Sequence, residues 1–152
     1  MWSLSALCIG CTRVAPLHMK RKDAPAVPVP VVVDTIANRG GNRLRNCLIQ
    51  QLRDVPIPAK ERYVLRVYLA QIEGNIGRIG RTYSAVFSLV KAKDKQSVCG
   101  GGATASSTYG ATDTSSQVTF AVFNSMDDAM IDQVGSDIVE QIRMHFQKVA
   151  AL

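Results

Sequence analysis

Met130, Val134, Ile138, Ile142, Phe146 and Val149 recur at three- and four-residue steps near the end of this chain. That spacing lines one face of an α-helix. Burying most of such a stripe contributes on the order of 10 kcal/mol before entropy, at ~1.5–3 kcal/mol per side chain. A chain that carries it must offer a second apolar surface for the helix to lie on. The preceding segments offer one, because they alternate like strands.

Residues 27–33 form a β-branched run broken only by prolines, and residues 31–36 read as the first strand, with Pro28 and Pro30 confined to its start, where a strand tolerates proline. Arg39-Gly40-Gly41-Asn42 reads as a turn. A helix then runs to about Arg53, with Leu44, Cys47, Leu48 and Leu52 on one face. Pro56-Ile57-Pro58 ends it, since proline cannot continue a helix. In residues 62–72, Tyr63, Leu65, Val67 and Leu69 alternate with Val64, Arg66, Tyr68 and Ala70. In residues 81–90, Tyr83, Ala85, Phe87 and Leu89 face inward, with Thr82, Ser84 and Ser88 opposite. Residues 74–80 read as a turn and 91–95 as a charged hairpin tip. Residues 96–109 read as a fourth strand, poor in large side chains.

The last helix is expected to begin near Ser125, where Ser125 and Asp128 have the spacing of a capping pair. Asp127, Asp128 and Asp132 near its start, and Arg143, His145 and Lys148 near its end, complement the helix dipole. The order is β-α-β-β-β-α. Alternating strands predict a sheet covered on one face only. Two amphipathic helices on that face give an α+β, two-layer sandwich.

At 152 residues and 47% hydrophobic content, the chain has room for one domain with a real core. Residues 31–152 are assigned to it. Residues 1–10, MWSLSALCIG, are apolar and end in a small residue directly before Cys11. That arrangement resembles the end of a bacterial lipoprotein signal, in which the cysteine becomes the lipidated first residue. Residues 11–30 hold Pro16, Pro25, Pro28 and Pro30 and the cluster Lys20-Arg21-Lys22, and read as an extended tether. Next to a lipid anchor the basic cluster either rests on anionic headgroups or stays solvated. No apolar run approaches the roughly 20 residues that cross a bilayer as a helix.

Catalytic apparatus is not expected. There is no GxSxG or HExxH, and neither His18 nor His145 lies in a nucleophile motif. Gly100-Gly101-Gly102 has no following Lys-Ser/Thr and opens no helix, so it does not read as a phosphate loop. With no CxxC and two distant histidines, neither a zinc site nor any other cofactor is expected. Cys47 and Cys99 read as two buried thiols, although in an exported protein they can also pair. The net charge of +6 suits a polyanionic partner and equally a solvated surface. Aromatic residues are only 6% and bring no stacking signature, so nucleic acid is not expected as a partner. The cations group as Arg39, Arg43, Arg45 and Arg53 near the first helix, then Arg62 and Arg66, then Arg78, Arg81, Lys91, Lys93 and Lys95 at strand ends.

Taken in order, several short motifs resemble the lipopolysaccharide-assembly lipoprotein LptE in its alphaproteobacterial form. They are Cys11 with Ala15-Pro16-Leu17, then Arg39-x-Gly-x-x-Leu44-Arg45-Asn46-x-Leu48, Tyr63-x-Leu65-x-Val67 and Ser84-Ala85-x-Phe87-x-Leu89. Phe120-Ala121, Asp128-Ala129 and Ile138-x-x-x-Ile142 follow. The resemblance implies two helices on a mixed four-stranded sheet, lipid-anchored at Cys11 on the periplasmic face of the outer membrane. It implies a partner, the β-barrel LptD, inside whose lumen the protein lies as a plug while helping deliver lipopolysaccharide to the outer leaflet. The Ser/Thr/Gly-rich fourth strand and the polar stretch 112–117 are the expected plug surface. Arg78, Arg81, Lys91 and Lys93, expected at strand ends away from the helices, are the first candidates to contact phosphorylated lipid; the resemblance does not fix them. The alternative is a periplasmic lipoprotein of similar fold that binds another ligand or stabilises the envelope.

Overall fold

The Val31 segment pairs parallel with the Tyr63 segment, and every other strand pairing is antiparallel. The computed structural model describes residues 29–74, 79–109 and 116–152. In chain order the elements are β1 (Val31–Val33), α1 (Gly41–Leu52), β2 (Tyr63–Gly74), β3 (Ile79–Lys91), β4 (Ser97–Tyr109) and α2 (Ser116–Ala150). The sheet order is β1-β2-β3-β4, a mixed sheet, with both helices on one face, as expected. The leader, Cys11, most of the tether, residues 75–78 and residues 110–115 lie outside the described residues.

The core joins Leu44, Leu48 and Leu52 of α1 to Leu65, Leu69, Phe87 and Leu89 of the sheet and Val134, Ile138 and Ile142 of α2. Ile131 and Val139, which lie off the expected stripe, are also buried. The reason is that α2 packs against α1 as well as against the sheet, so its buried arc is wider than a single row. Val149, the last residue of the stripe, is instead 53% exposed, one residue short of the helix end.

Two boundaries differ from expectation. Strand β1 stops at Val33, because Asp34 turns the chain: its carboxylate accepts from the Thr35 backbone N–H at 2.8 Å. Such local bonds compete with a sheet ladder. Ile36 is still buried, and Asn38, at φ 86°, donates through Nδ2 to the Leu69 carbonyl. The chain then passes so close to itself that a Cβ at Gly41 would stand 2.1 Å from the Ile36 carbonyl oxygen.

Helix α2 begins at Ser116, not near Ser125. Ser125 and Asp128 are interior, so they do not cap it. From Ser116 to Val134 no glycine or proline interrupts the segment. The acids also have other partners: Asp128 and Asp132 pair with Arg43 of α1, and Asp127 pairs with Arg81 of β3. These ion pairs favour continued helix past the capping pattern. Of the polar stretch 112–117, Ser116 and Gln117 fall in α2.

Candidate functional site

Among the described residues, no element covers the face of the sheet away from the helices. Strand alternation places Val32, Arg66, Tyr68, Ile72, Thr82, Ser84, Val86, Ser88, Gly100, Gly102, Thr104 and Ser106 on it. Tyr68 is opposite Val86, and Val86 opposite Gly102. Tyr68 is 70% exposed, Val86 61% and Ile72 57%. Beside them Thr82 and Ser106 share a hydrogen bond of 3.0 Å, and Thr104 donates to Ser84 at 3.4 Å. Among the described strand residues, Arg66 is the one charged residue of this parity. Strand β4 closes the face as an edge of 13 residues with no charge and no proline.

The candidate cations separate to opposite ends of the sheet. Tyr63 pairs with Lys91 and Gly74 with Gly80, so Lys91 and Lys93 lie at one end and Arg81 near the other. Arg81 does not stand away from the helices. It shares strand parity with Tyr83 and Ala85, which puts it on the covered face, where its guanidinium meets Asp127 of α2 and, at 3.8 Å, Glu73 of β2. Strand period alone carried that signal, two residues before the first inward side chain. Arg78 lies outside the described residues.

At the Lys91 end, the Lys91 ammonium is 3.0 Å from Glu61, which holds its pKa above the ordinary lysine value by hydrogen bonding and by charge. Lys60, Arg62 and Lys93 surround the same open cavity of about 580 Å³, together with Asp94. Among the described residues these three cations have no ion-pair partner. Lys60 was not named from the sequence, and Arg62 was grouped among the cations but not with the first candidates. The hairpin symmetry that places residue 62 opposite 92 was the available signal.

Cys47 and Cys99 are both free and half-buried. Burial pushes both thiols above the ordinary cysteine value, so neither is set up as a nucleophile. Among the described residues no group of three His, Cys, Asp or Glu side chains converges for a metal ion, and no helix is long and apolar enough to cross a membrane.

Several solved structures share this architecture. A candidate lipoprotein from Caulobacter crescentus is 20% identical, with a TM-score of 0.59 over 76% of this chain and 89% of its own. A minor lipoprotein from Acinetobacter baumannii is 14% identical, with a TM-score of 0.61 over 76% of this chain and 92% of its own. Rare lipoprotein B from Shewanella oneidensis is 12% identical, with a TM-score of 0.57 over 79% of this chain and 98% of its own. The chain has the fold of these lipoproteins. No family model matches the chain, and no curated protein does.

Proposed function

We propose that this chain is a lipoprotein of the lipopolysaccharide-assembly type, anchored through Cys11 on the periplasmic face of the outer membrane. In this reading it seats inside the LptD β-barrel and assists delivery of lipopolysaccharide to the outer leaflet. The observation that carries the reading is the sheet face that no described element covers, which is rich in hydroxyls and whose described strand residues include one charge, Arg66. A barrel lumen is polar. Hydroxyls and small side chains can exchange water for hydrogen bonds to such a wall, with little cost from stranding a desolvated charge. The fold shared with rare lipoprotein B supports the same reading.

Lipid phosphates are then met by Lys91 and Lys93, which stand at an open end of the sheet. Arg81 is committed to Asp127 and Glu73 and has a structural part. No catalytic step, cofactor or nucleic acid enters the reading. The test is affinity capture from detergent-solubilised membranes, with mass spectrometry of the partner and of the mature N-terminus. A large β-barrel partner and an acylated Cys11 are expected. A soluble monomer recovered without a barrel would sink the proposal.

A second reading, an envelope lipoprotein serving another ligand, is favoured by the equally good fold match to the minor lipoprotein. It predicts acylation at Cys11 without the barrel.

A further inference from the structure

We propose that the end of the domain where the tether enters stands on anionic phospholipid headgroups of the bilayer that carries the anchor. The contact is made by Lys60, Arg62, Lys91 and Lys93. The inference rests on the tethered reading above and specifies which lipid phosphates that end meets.

The geometry begins with the chain's entry into the sheet. The Tyr63 backbone N–H donates to the Pro30 carbonyl at 2.8 Å, so the segment arriving from the N-terminus joins the domain beside Arg62. The Ala92 N–H donates to the Arg62 carbonyl at 2.9 Å, which draws the turn carrying Lys93 to the same place. Around the cavity there, four cations face only two carboxylates, Glu61 and Asp94. Glu61 is occupied by Lys91.

At the opposite end of the sheet Arg43 and Arg81 are matched by Asp128, Asp132 and Asp127 of α2. Among the described residues, Lys60, Arg62 and Lys93 bring positive charge with no ion pair to the end where the tether enters. Helix α2 ends at that side too, since Phe146 packs edge-on to Tyr63 at 5.6 Å, and Lys148 follows.

The tether adds a second, independent observation. Lys20-Arg21-Lys22 lies in the sequence between Cys11 and Pro30, eight residues before the proline, so an anchor at Cys11 puts a further basic group on the segment that leads to this end. Guanidinium and ammonium groups suit phosphate oxygens. Each cation held close to an anionic leaflet strengthens binding about fivefold. Lipopolysaccharide presents the same phosphate chemistry. Phospholipid is the source chosen here because the anchor itself delivers this end of the domain to a bilayer surface.

The test uses the full chain with Cys11→Ser, so that no acyl chain contributes and the outcome does not depend on whether Cys11 is lipidated. Co-sedimentation is measured with phosphatidylcholine vesicles, alone or doped with phosphatidylglycerol or with lipopolysaccharide. Binding that requires phosphatidylglycerol is expected. Lys93→Glu is expected to weaken it by at least about fivefold, and Lys60→Gln with Arg62→Gln by a similar factor or more. Arg39→Glu, with the same net charge as Lys93→Glu but at the other end of the domain, is expected to leave it within about twofold. All of these positions are exposed, and circular dichroism confirms that each variant is folded. Equal losses for Lys93→Glu and Arg39→Glu would overturn the proposal. So would binding indifferent to phosphatidylglycerol, or binding to lipopolysaccharide vesicles alone.

Discussion

Gln141 of α2 reaches across to the edge of the sheet and donates from Nε2 to the backbone carbonyl of Gly102 at 2.9 Å. A Cβ at the neighbouring Gly101 would stand 2.2 Å from Gln141 Oε1 and 3.1 Å from the Phe87 ring. The glycine thus leaves room for the amide and the ring together. Strand β4 is long, uncharged and free of proline, the kind of edge that invites pairing with another chain. Gln141 occupies one of its acceptors from within the fold.

Replacing Gln141 with Ala is expected to cost about 0.5–1.5 kcal/mol, the net value of one hydrogen bond. It is also expected to increase self-association, because the Gly102 acceptor becomes free at the edge. Urea midpoints give the first quantity and sedimentation velocity the second. Gly101→Val is expected to cost more, about 1–3 kcal/mol, because it overfills space that Phe87 and Gln141 already use. Equal stability of Gly101→Val and the parent would refute this packing.

The two helices meet at Gly135. A Cβ there would lie 2.8 Å from Cys47 Sγ and 3.3 Å from Leu44 Cδ1. Glycine inside a helix costs roughly 1 kcal/mol relative to alanine, so its place here is explained by the close approach of α1. Gly135→Val is expected to destabilise by about 1–3 kcal/mol. Cys47→Ala in the same chain should recover part of that loss, a coupling that a double-mutant cycle measures. Strict additivity would show that the two side chains do not compete.

Arg43 and Arg81 are both ion-paired to α2, yet they should behave differently. Arg43 is 46% exposed and its partner Asp132 45%, whereas Arg81 and Asp127 are 27% and 16% exposed. Exposed pairs contribute about 0.2–1 kcal/mol. Arg43→Gln is therefore expected to lie in that range and to shrink further in salt. Arg81→Gln strips a mostly covered carboxylate of a charged partner and is expected to cost more, about 1–3 kcal/mol. Denaturant melts of the two variants at low and high salt check the order. A smaller effect at Arg81 would return that residue to the list of free surface cations.

Much of the architecture was legible in the sequence because periodicity carries it. The two-residue alternation of Tyr63 to Leu69 and of Tyr83 to Leu89, and the stripe from Met130 to Phe146, each mark a buried face, and those faces are buried. The start of α2 was misread because Ser125 and Asp128 have cap spacing. Local pattern cannot show that Asp128 is answered by Arg43 from a different helix. The same long-range pairing hid the role of Arg81. The basic end was half legible: Lys91 and Lys93 share the charged hairpin tip read from the sequence, whereas Lys60 and Arg62 join them only through the hairpin register.

Alkaline pH should expose the burial of the titrating groups. Burial, and for Cys47 the nearby Asp132 charge, raises the Cys47 and Cys99 thiols from an ordinary value of 9.0. Burial first, then Glu61 and Asp127 respectively, raises the Tyr63 and Tyr83 hydroxyls from 10.0. Each group keeps its proton in the folded chain at a pH where the unfolded chain has released it. Between the two values the unfolded state therefore binds fewer protons, and stability falls as pH rises. Lys91, raised from 10.5 by Glu61, acts in the same direction: its contribution is complete below 10.5 and lost as pH climbs through the folded value. Stability should thus be insensitive to these groups near neutrality, begin to fall as pH passes about 9 through the thiols, and steepen as the tyrosines and Lys91 join. Cys99→Ala should flatten the first part of that decline and leave the later part intact. Urea midpoints measured across the alkaline range test both statements, and a stability that stays level or rises there would show that these side chains are open to water in the folded chain.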